Sequence, residues 1–235
     1  MAGGPALPDQ VHVIEEKDMA PVPVSVVAAR ARPPAEPPLQ PMFAARKRVF
    51  VDLLGWDVPV LEGRYEVDQF DDRHAEYLVV ADAGGRHLAS ARLLPTVRPH
   101  ILDSLFPELC AGPPPRGQAV REITRFCLDP AIGARARREA RNALVSALAA
   151  HALASGIDTY TGVAEIAWLQ QILAFGWRCA PLGLPRTIDG RMLGALTIAI
   201  DAGTPALLAA NGIHRLTTLT PAGSSTASPR AVELA

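Results

Sequence analysis

The spacing of apolar residues changes period several times along this chain, and each change marks an element. Between Met42 and Leu54 the apolar residues Phe43, Val49, Phe50 and Leu53 fall roughly on one face, which predicts a helix. Glu76–Ala81 (EYLVVA) and His87–Leu94 (HLASARLL) read as strands, and Asp82–Arg86 between them holds Gly84-Gly85, which suits a hairpin turn. Val120–Leu128 predicts a third strand. In Ala134–Ser155 the residues Leu144, Val145, Leu148 and Ala152 share a helical face, with Gly156 placed as a C-cap. A strand at Asp158–Val163, a helix at Ile166–Phe175 stopped by Gly176, and a strand at Leu193–Ile200 follow. Thr204-Pro205 then opens a short helix as N-cap and first helical residue, and Asn211-Gly212 closes it. Paired strands followed by strand–helix–strand–helix–strand predict an α/β fold: a mixed sheet with helices on its faces.

The two ends lack this patterning. Nine of the 22 prolines lie in the first 41 residues, where only Val11–Ile14 (VHVI) reads as a strand. Residues 1–10 are expected to be a disordered extension, and Ala20–Pro41 a proline- and alanine-rich loop. Residues 214–235 are rich in Ser, Thr, Ala and Pro and are expected to be a disordered tail. No linker divides the region between, so 11–213 is expected to form one domain.

Composition narrows the function classes. The 235 residues carry 23 Lys+Arg against 24 Asp+Glu, a net charge of −1, which lacks the broad basic surface that coating nucleic acid requires. No apolar run reaches the ~18 residues of a membrane span, and the N-terminus has no basic-then-apolar signal, so a cytoplasmic protein is expected. Cys110, Cys127 and Cys179 are far apart, the six histidines are scattered, and neither HExxH nor a Cys/His cluster occurs, so no metal site is expected. GxGxxG and GxxxxGK[ST] are also missing, so nothing points to dinucleotide or nucleoside-triphosphate chemistry.

Four segments set charge beside apolar sequence: Arg46–Phe50 leading to Gly55-Trp56-Asp57, Glu66–Asp72, Ser90–Leu94, and Arg121–Phe126. Arg92, Glu122 and Arg125 lie inside predicted strands. A charge there must face solvent, a partner or a ligand, because burying it unpaired is costly. A structural ion-pair network and a functional site are both compatible with that pattern. Glu122 and Arg125 are three apart, which places them on opposite faces of a regular strand; a shared site requires a bulge between them.

The ordered residues Arg46, Phe50 and Trp56, then Asp68 and Asp71, then Arg92, then Glu122 and Arg125 are similar to the motif of the acyl-homoserine-lactone synthases, the autoinducer synthases of bacterial quorum sensing. The strings VFVDLLGWDV, DQFDD, ASARLLPT and EITRFCL also resemble that family, and the likeness runs from Val11 to Ile213. The stretch before Arg46 is longer and richer in proline than the family pattern.

The resemblance implies a three-layer αβα fold like that of the GCN5-related N-acetyltransferases, with a bulged central strand splayed from its neighbour. It implies acyl transfer from an acyl-carrier-protein or coenzyme A thioester to the amine of S-adenosylmethionine, then lactonisation that releases methylthioadenosine. Both reactants are substrates, and no tightly bound cofactor is implied. Glu122 is then the candidate base, with Arg125 beside it. Arg46, Phe50, Trp56, Asp68, Asp71 and Arg92 are candidates for the S-adenosylmethionine site: the acids toward the sulfonium, the rings as a shelf for it, and Arg46 or Arg125 toward the substrate carboxylate. Ile123, Phe126, Thr161 and Trp168 are candidate walls of the acyl pocket, with plain core packing as the alternative. Arg135 and Arg138 open the long helix and are candidates for the donor's phosphate or an acidic carrier surface, with a solvated basic face as the alternative. Two other functions remain open at this point: an N-acyltransferase acting on a different amine, and a non-catalytic relative that binds a ligand.

Overall fold

A computed structural model of the chain describes residues 20–29 and 39–221. The expected strand Val11–Ile14 and the expected extension 1–10 lie outside these residues. The described chain builds one large mixed sheet in the order β11-β1-β4-β5-β6-β7-β10-β8, with β9 paired to β10. Its strands are β1 (Val22–Ala28), β4 (Glu76–Ala81), β5 (His87–Pro95), β6 (Val120–Leu128), β7 (Thr159–Glu165), β8 (Arg178–Pro181), β9 (Arg186–Ile188), β10 (Arg191–Ala199) and β11 (Thr217–Pro221); β2 (Val60–Leu61) and β3 (Tyr65–Glu66) form a separate small hairpin. The helices are α1 (Leu39–Arg46), α2 (Ile101–Leu105), α3 (Ala134–Ser155), α4 (Ile166–Leu173) and α5 (Thr204–Ala210).

Strand alternation sorts the core into two faces. Leu78 and Val80 of β4 and Ala89, Ala91 and Leu93 of β5 pack with Leu144, Val145 and Leu148 of α3. Tyr77, Val79 and Leu94 point the other way, onto Leu39, Met42 and Phe43 of α1. The sheet is therefore a middle layer between α1 and α2 on one side and α3 and α4 on the other.

Two expectations about the chain ends are corrected. Val22–Ala28, within the expected loop, is a strand between β4 and β11, pairing antiparallel with the first and parallel with the second. Pro23 is compatible with it because the β4 ladder begins one residue later, at Val24, and proline is tolerated at strand starts. Thr217–Pro221, within the expected tail, is the edge strand β11, which lies beside β1. Its Thr-rich sequence is β-branched but offers little apolar alternation, so the pattern did not register.

The first helix also departs from a uniform α-helix. After Arg46 it widens into a π-helical segment, Lys47–Leu53. That shifts the phase of the following side chains, so Phe43 and Phe50 are buried while Leu53, expected on the same face, is exposed.

The central strand carries the bulge that a shared Glu122–Arg125 site demands. β5 and β6 pair Ser90 with Cys127 and Arg92 with Thr124, so one residue of β5 faces Arg125 and Phe126 together. Arg125 has φ of 49° there, a left-handed conformation rare outside glycine. On its other side β6 pairs in parallel with β7 only over Val120–Glu122 against Thr159–Thr161. Beyond Glu122 and Thr161 the two strands part, and the sheet splits.

Candidate active site at the split

Three arginines and three carboxylates from five places in the chain meet on the α1 side of the split. Arg46 ends α1, Glu66 ends β3, Asp68 and Asp71 follow in the next loop, Arg92 comes from β5 and Arg125 from the bulge of β6. Arg46 donates Nε to Glu66 Oε2 at 2.5 Å and both terminal nitrogens to Asp71 at 2.8 Å, a bidentate pair. Arg92 donates to both oxygens of Asp68 at 2.6 and 3.0 Å and lies 2.7 Å from Asp71 Oδ1. Arg125 closes the circuit with Nη2 on Glu66 Oε1 at 3.0 Å and on Asp68 Oδ2 at 2.8 Å. The formal charges cancel within the cluster, which lets Arg46, Glu66 and Arg92 sit at 1% exposure or less.

Neutral groups complete the hydrogen bonding of the cluster. Tyr77 donates its hydroxyl to Asp71 and Asp68 its backbone N–H to Asp71, both at 2.9 Å. Thr124 Oγ1 accepts from Arg92 Nε at 2.9 Å. Because Thr124 and Arg125 are consecutive yet both reach this cluster, the bulge has turned Arg125 onto the Thr124 face. Burial alone pushes the Asp71 carboxyl up, but Arg46 and Arg92 outweigh it and hold the group well below the usual carboxylate range. Asp68 is lowered in the same way, by Arg92 and Arg125 acting against burial.

An aromatic pair borders the one partly open arginine. Phe50 and Trp56 stack at 4.7 Å between centroids and 29° between planes. The Arg125 guanidinium lies 5.5 Å from the Phe50 ring and 5.6 Å from that of Trp56. Arg125 uses Nε and Nη2 on the acids, and its Nη1 has no hydrogen-bond partner among the described residues. Trp56 Nε1 is likewise buried without a partner among them.

Glu122 stands apart from the circuit. Its carboxylate is fully buried and accepts the backbone N–H groups of Ile101 at 2.8 Å and Leu102 at 2.9 Å, the first turn of α2. His100 Nδ1 lies 2.9 Å from the same carboxylate, and since an ionised carboxylate only accepts, that nitrogen carries the proton. Glu122 thus ties α2 to the last rung before the split, opposite Thr161.

The eight motif residues therefore divide in three. Arg46, Asp68, Asp71 and Arg92 are framework, neutralised by one another. Arg125 and the partly buried Trp56 form a cation–aromatic group with the buried Phe50 stacked on the indole. Glu122 is a buried anchor with some acceptor capacity left. The Arg46 guanidinium, expected to reach toward the substrate carboxylate, is enclosed here and has its nitrogens engaged by Glu66 and Asp71. Asp71, expected to face the sulfonium, accepts here from Arg46, the Asp68 backbone N–H and the Tyr77 hydroxyl.

The candidate acyl-pocket residues flank the split from both faces. Thr161 lies on the α2 side, fully buried, donating to the Leu196 carbonyl at 2.9 Å. Ile123, Phe126 and Trp168 lie on the α3–α4 side, with the Phe126 and Trp168 rings 5.2 Å apart. They lie on opposite faces of the sheet rather than on one. Arg135 pairs with Glu139 on an exposed helix face and, with Arg138, lines a surface cleft completed by His214, Arg215 and Leu216, away from the circuit.

Sequence reading missed Glu66, Tyr77, Thr124 and His100. Glu66 lay inside a charged segment already singled out, and charge balance was the available signal: three inward arginines cannot be neutralised by two aspartates.

The comparisons agree with this geometry. Residues 35–204 match the family model described as autoinducer synthase. An acyl-homoserine-lactone synthase of Ralstonia nicotianae is 37% identical over 173 residues, covering 71% of this chain and 84% of that protein. One of Ralstonia solanacearum is 34% identical, covering 69% of this chain and 82% of its own length. Among solved structures, TofI in a ternary complex with an inhibitor and MTA is 33% identical with a TM-score of 0.68, over 80% of this chain and 97% of that one. BjaI, a CoA-dependent acyl-homoserine lactone synthase solved with SAM and isopentyl-CoA, is 26% identical with a TM-score of 0.71, over 84% of this chain and 92% of that one. The bulged, split sheet with its charge circuit, the family match over most of the chain and the likeness to these synthases agree: the chain belongs to the autoinducer synthase family.

Proposed function

We propose that this chain makes an acyl-homoserine lactone from S-adenosylmethionine and an acyl thioester of acyl carrier protein or coenzyme A. The observation that carries the reading is the bulge at Arg125, which brings its guanidinium, with Nη1 unpartnered among the described residues, beside the stacked Phe50–Trp56 pair. Arg125 holds the methionine carboxylate through Nη1, and the aromatic pair takes the sulfonium, since cations bind aromatic faces. Arg46, Asp71, Arg92, Asp68 and Glu66 position Arg125 and keep its charge compensated.

In the first step the neutral amine attacks the thioester carbon. The N–C bond forms, the C–S bond breaks and the sulfur leaves as thiolate, while the amine proton passes to a base and from there to the thiolate. An α-amino group has a pKa near ~8, so a weak acceptor suffices at neutral pH. Glu122 is that acceptor: its two oxygens offer about four lone-pair sites, of which His100, Ile101 and Leu102 use three, and the last is on Oε1. In the second step the carboxylate oxygen attacks the methionine γ-carbon. The C–O bond closes the lactone, and the C–S bond to the sulfonium breaks to release methylthioadenosine. The acyl chain occupies the split between the Thr161 wall and the Ile123, Phe126 and Trp168 wall, and Arg135 and Arg138 face the donor's acidic portion.

Mass spectrometry of purified protein with S-adenosylmethionine and a panel of acyl-carrier-protein and coenzyme A thioesters tests this. The expected products are an acyl-homoserine lactone and methylthioadenosine in equal amounts. Acylation of a different amine, or acylation without methylthioadenosine, overturns it.

A further inference from the structure

A second guanidinium reaches Trp56 from the far side of the split. Arg191 is the first residue of β10, next to the tight turn at Asp189 and Gly190, whose φ values are 48° and 76°. β10 pairs with β7 only as far as Leu193 opposite Glu165, so Arg191 projects past the end of β7. Its guanidinium lies 5.3 Å from the Trp56 ring centroid, with Nη2 3.5 Å from the Gly55 carbonyl and Nε 3.9 Å from Glu165 Oε1. One side chain of the β7–β10 half thus spans the opening to the segment that follows α1. Both polar contacts are at the outer limit of such interactions, so the cation–aromatic contact is the main attraction.

The Trp56 indole Nε1–H, buried with no partner among the described residues, adds no hydrogen bond to hold the contact. Arg191 and Arg125 also bring two like charges to one ring, with Glu165 the acid near Arg191. The bridge is therefore held weakly and has an alternative partner within reach.

We propose that Arg191 is a positioning residue that occupies the Trp56 face in competition with the sulfonium of S-adenosylmethionine, so that substrate entry requires Arg191 to leave Trp56 for Glu165. The proposal rests on the functional reading above. A guanidinium and a sulfonium are both weakly hydrated cations attracted by an indole face, so they exclude each other there. Substrate affinity is then reduced by the fraction of molecules in which Arg191 covers the ring.

Calorimetric binding of S-adenosylmethionine and of S-adenosylhomocysteine, its neutral thioether counterpart, to the wild type, Arg191→Gln and Arg191→Lys tests this. Arg191→Gln is expected to bind S-adenosylmethionine about three- to tenfold more tightly, with a smaller gain for the thioether and an intermediate value for Arg191→Lys, whose ammonium is more strongly hydrated. In steady state the KM for S-adenosylmethionine falls and the KM for the thioester does not follow it. Unchanged or weaker sulfonium binding in Arg191→Gln, or equal gains for both ligands, overturns the proposal while leaving the functional reading in place. If the wild type binds no S-adenosylmethionine, both fall together.

Discussion

Replacing Glu122 by glutamine separates two things that the same side chain does. As a proton acceptor it is lost outright, because an amide nitrogen has no lone pair to offer. As an anchor it is lost in part. The carboxylate receives the N–H groups of Ile101 and Leu102 through different oxygens, with His100 Nδ1 sharing the first. A glutamine keeps one accepting oxygen and sets an N–H group against the other donor. One hydrogen bond to a charged group is lost, worth about 1.5–3 kcal/mol, and a buried N–H is left unmatched at about 1–3 kcal/mol. Relaxation of α2 recovers part of this, so a net loss of about 2–4 kcal/mol is expected, lowering Tm by roughly 5–15 °C for a domain of this size. Glu122→Ala leaves all three donors unmatched and should be worse. The assay is thermal unfolding followed by circular dichroism, paired with turnover at a temperature where both proteins are folded. Strong loss of turnover with Tm within about 1 °C of wild type would refute the anchoring half of the reasoning. Normal turnover in a destabilised variant would remove Glu122 as the acceptor.

Further expectations follow from particular contacts. Asp71→Asn strips compensation from Arg46 and Arg92 and should cost about 3–5 kcal/mol in urea unfolding; a loss below about 1 kcal/mol would mean that the circuit is not buried as described. Gly162 stands just past the last β6–β7 rung, where an added Cβ would lie 2.9 Å from the Ile123 carbonyl oxygen, so Gly162→Ala should force the strands apart and cost about 1–3 kcal/mol, read as a lower Tm. His87 is buried, and desolvation takes its pKa down to about 4. Between that value and the unfolded value near ~6.5 the unfolded chain binds the proton and the folded one does not, so stability is full above pH ~6.5 and falls as the pH drops toward 4. His87 should contribute about 2 kcal/mol to the loss between pH 7 and 5. His87→Gln should remove that portion of the pH dependence, and an unchanged slope would show that His87 does not carry it.

What the sequence disclosed and what it withheld divide along one physical line. Elements with strong local period, α3 and the β4–β5 pair above all, were legible because their apolar faces and turn residues are neighbours in the chain. β1 and β11 were not, because each is stabilised by a partner from the opposite end of the chain, Val22 beside Thr217, which no local window contains. The bulge was legible only as a conditional: Glu122 and Arg125 could serve one region only if β6 broke its alternation, and the φ of 49° at Arg125 meets that condition. Within the site, the motif identified which residues converge but not which are enclosed. Arg46 and Arg125 are the same residue type in the same motif, yet one is saturated by Glu66 and Asp71 while the other keeps Nη1 without a partner among the described residues. The difference lies in where the framework's charge is balanced, and that depended on Glu66, which the motif omits. An arginine in such a circuit keeps an open donor only when the acids around it are already shared with its neighbours, so the buried pairs of Arg46 and Arg92 are what leave Arg125 Nη1 without a partner among the described residues.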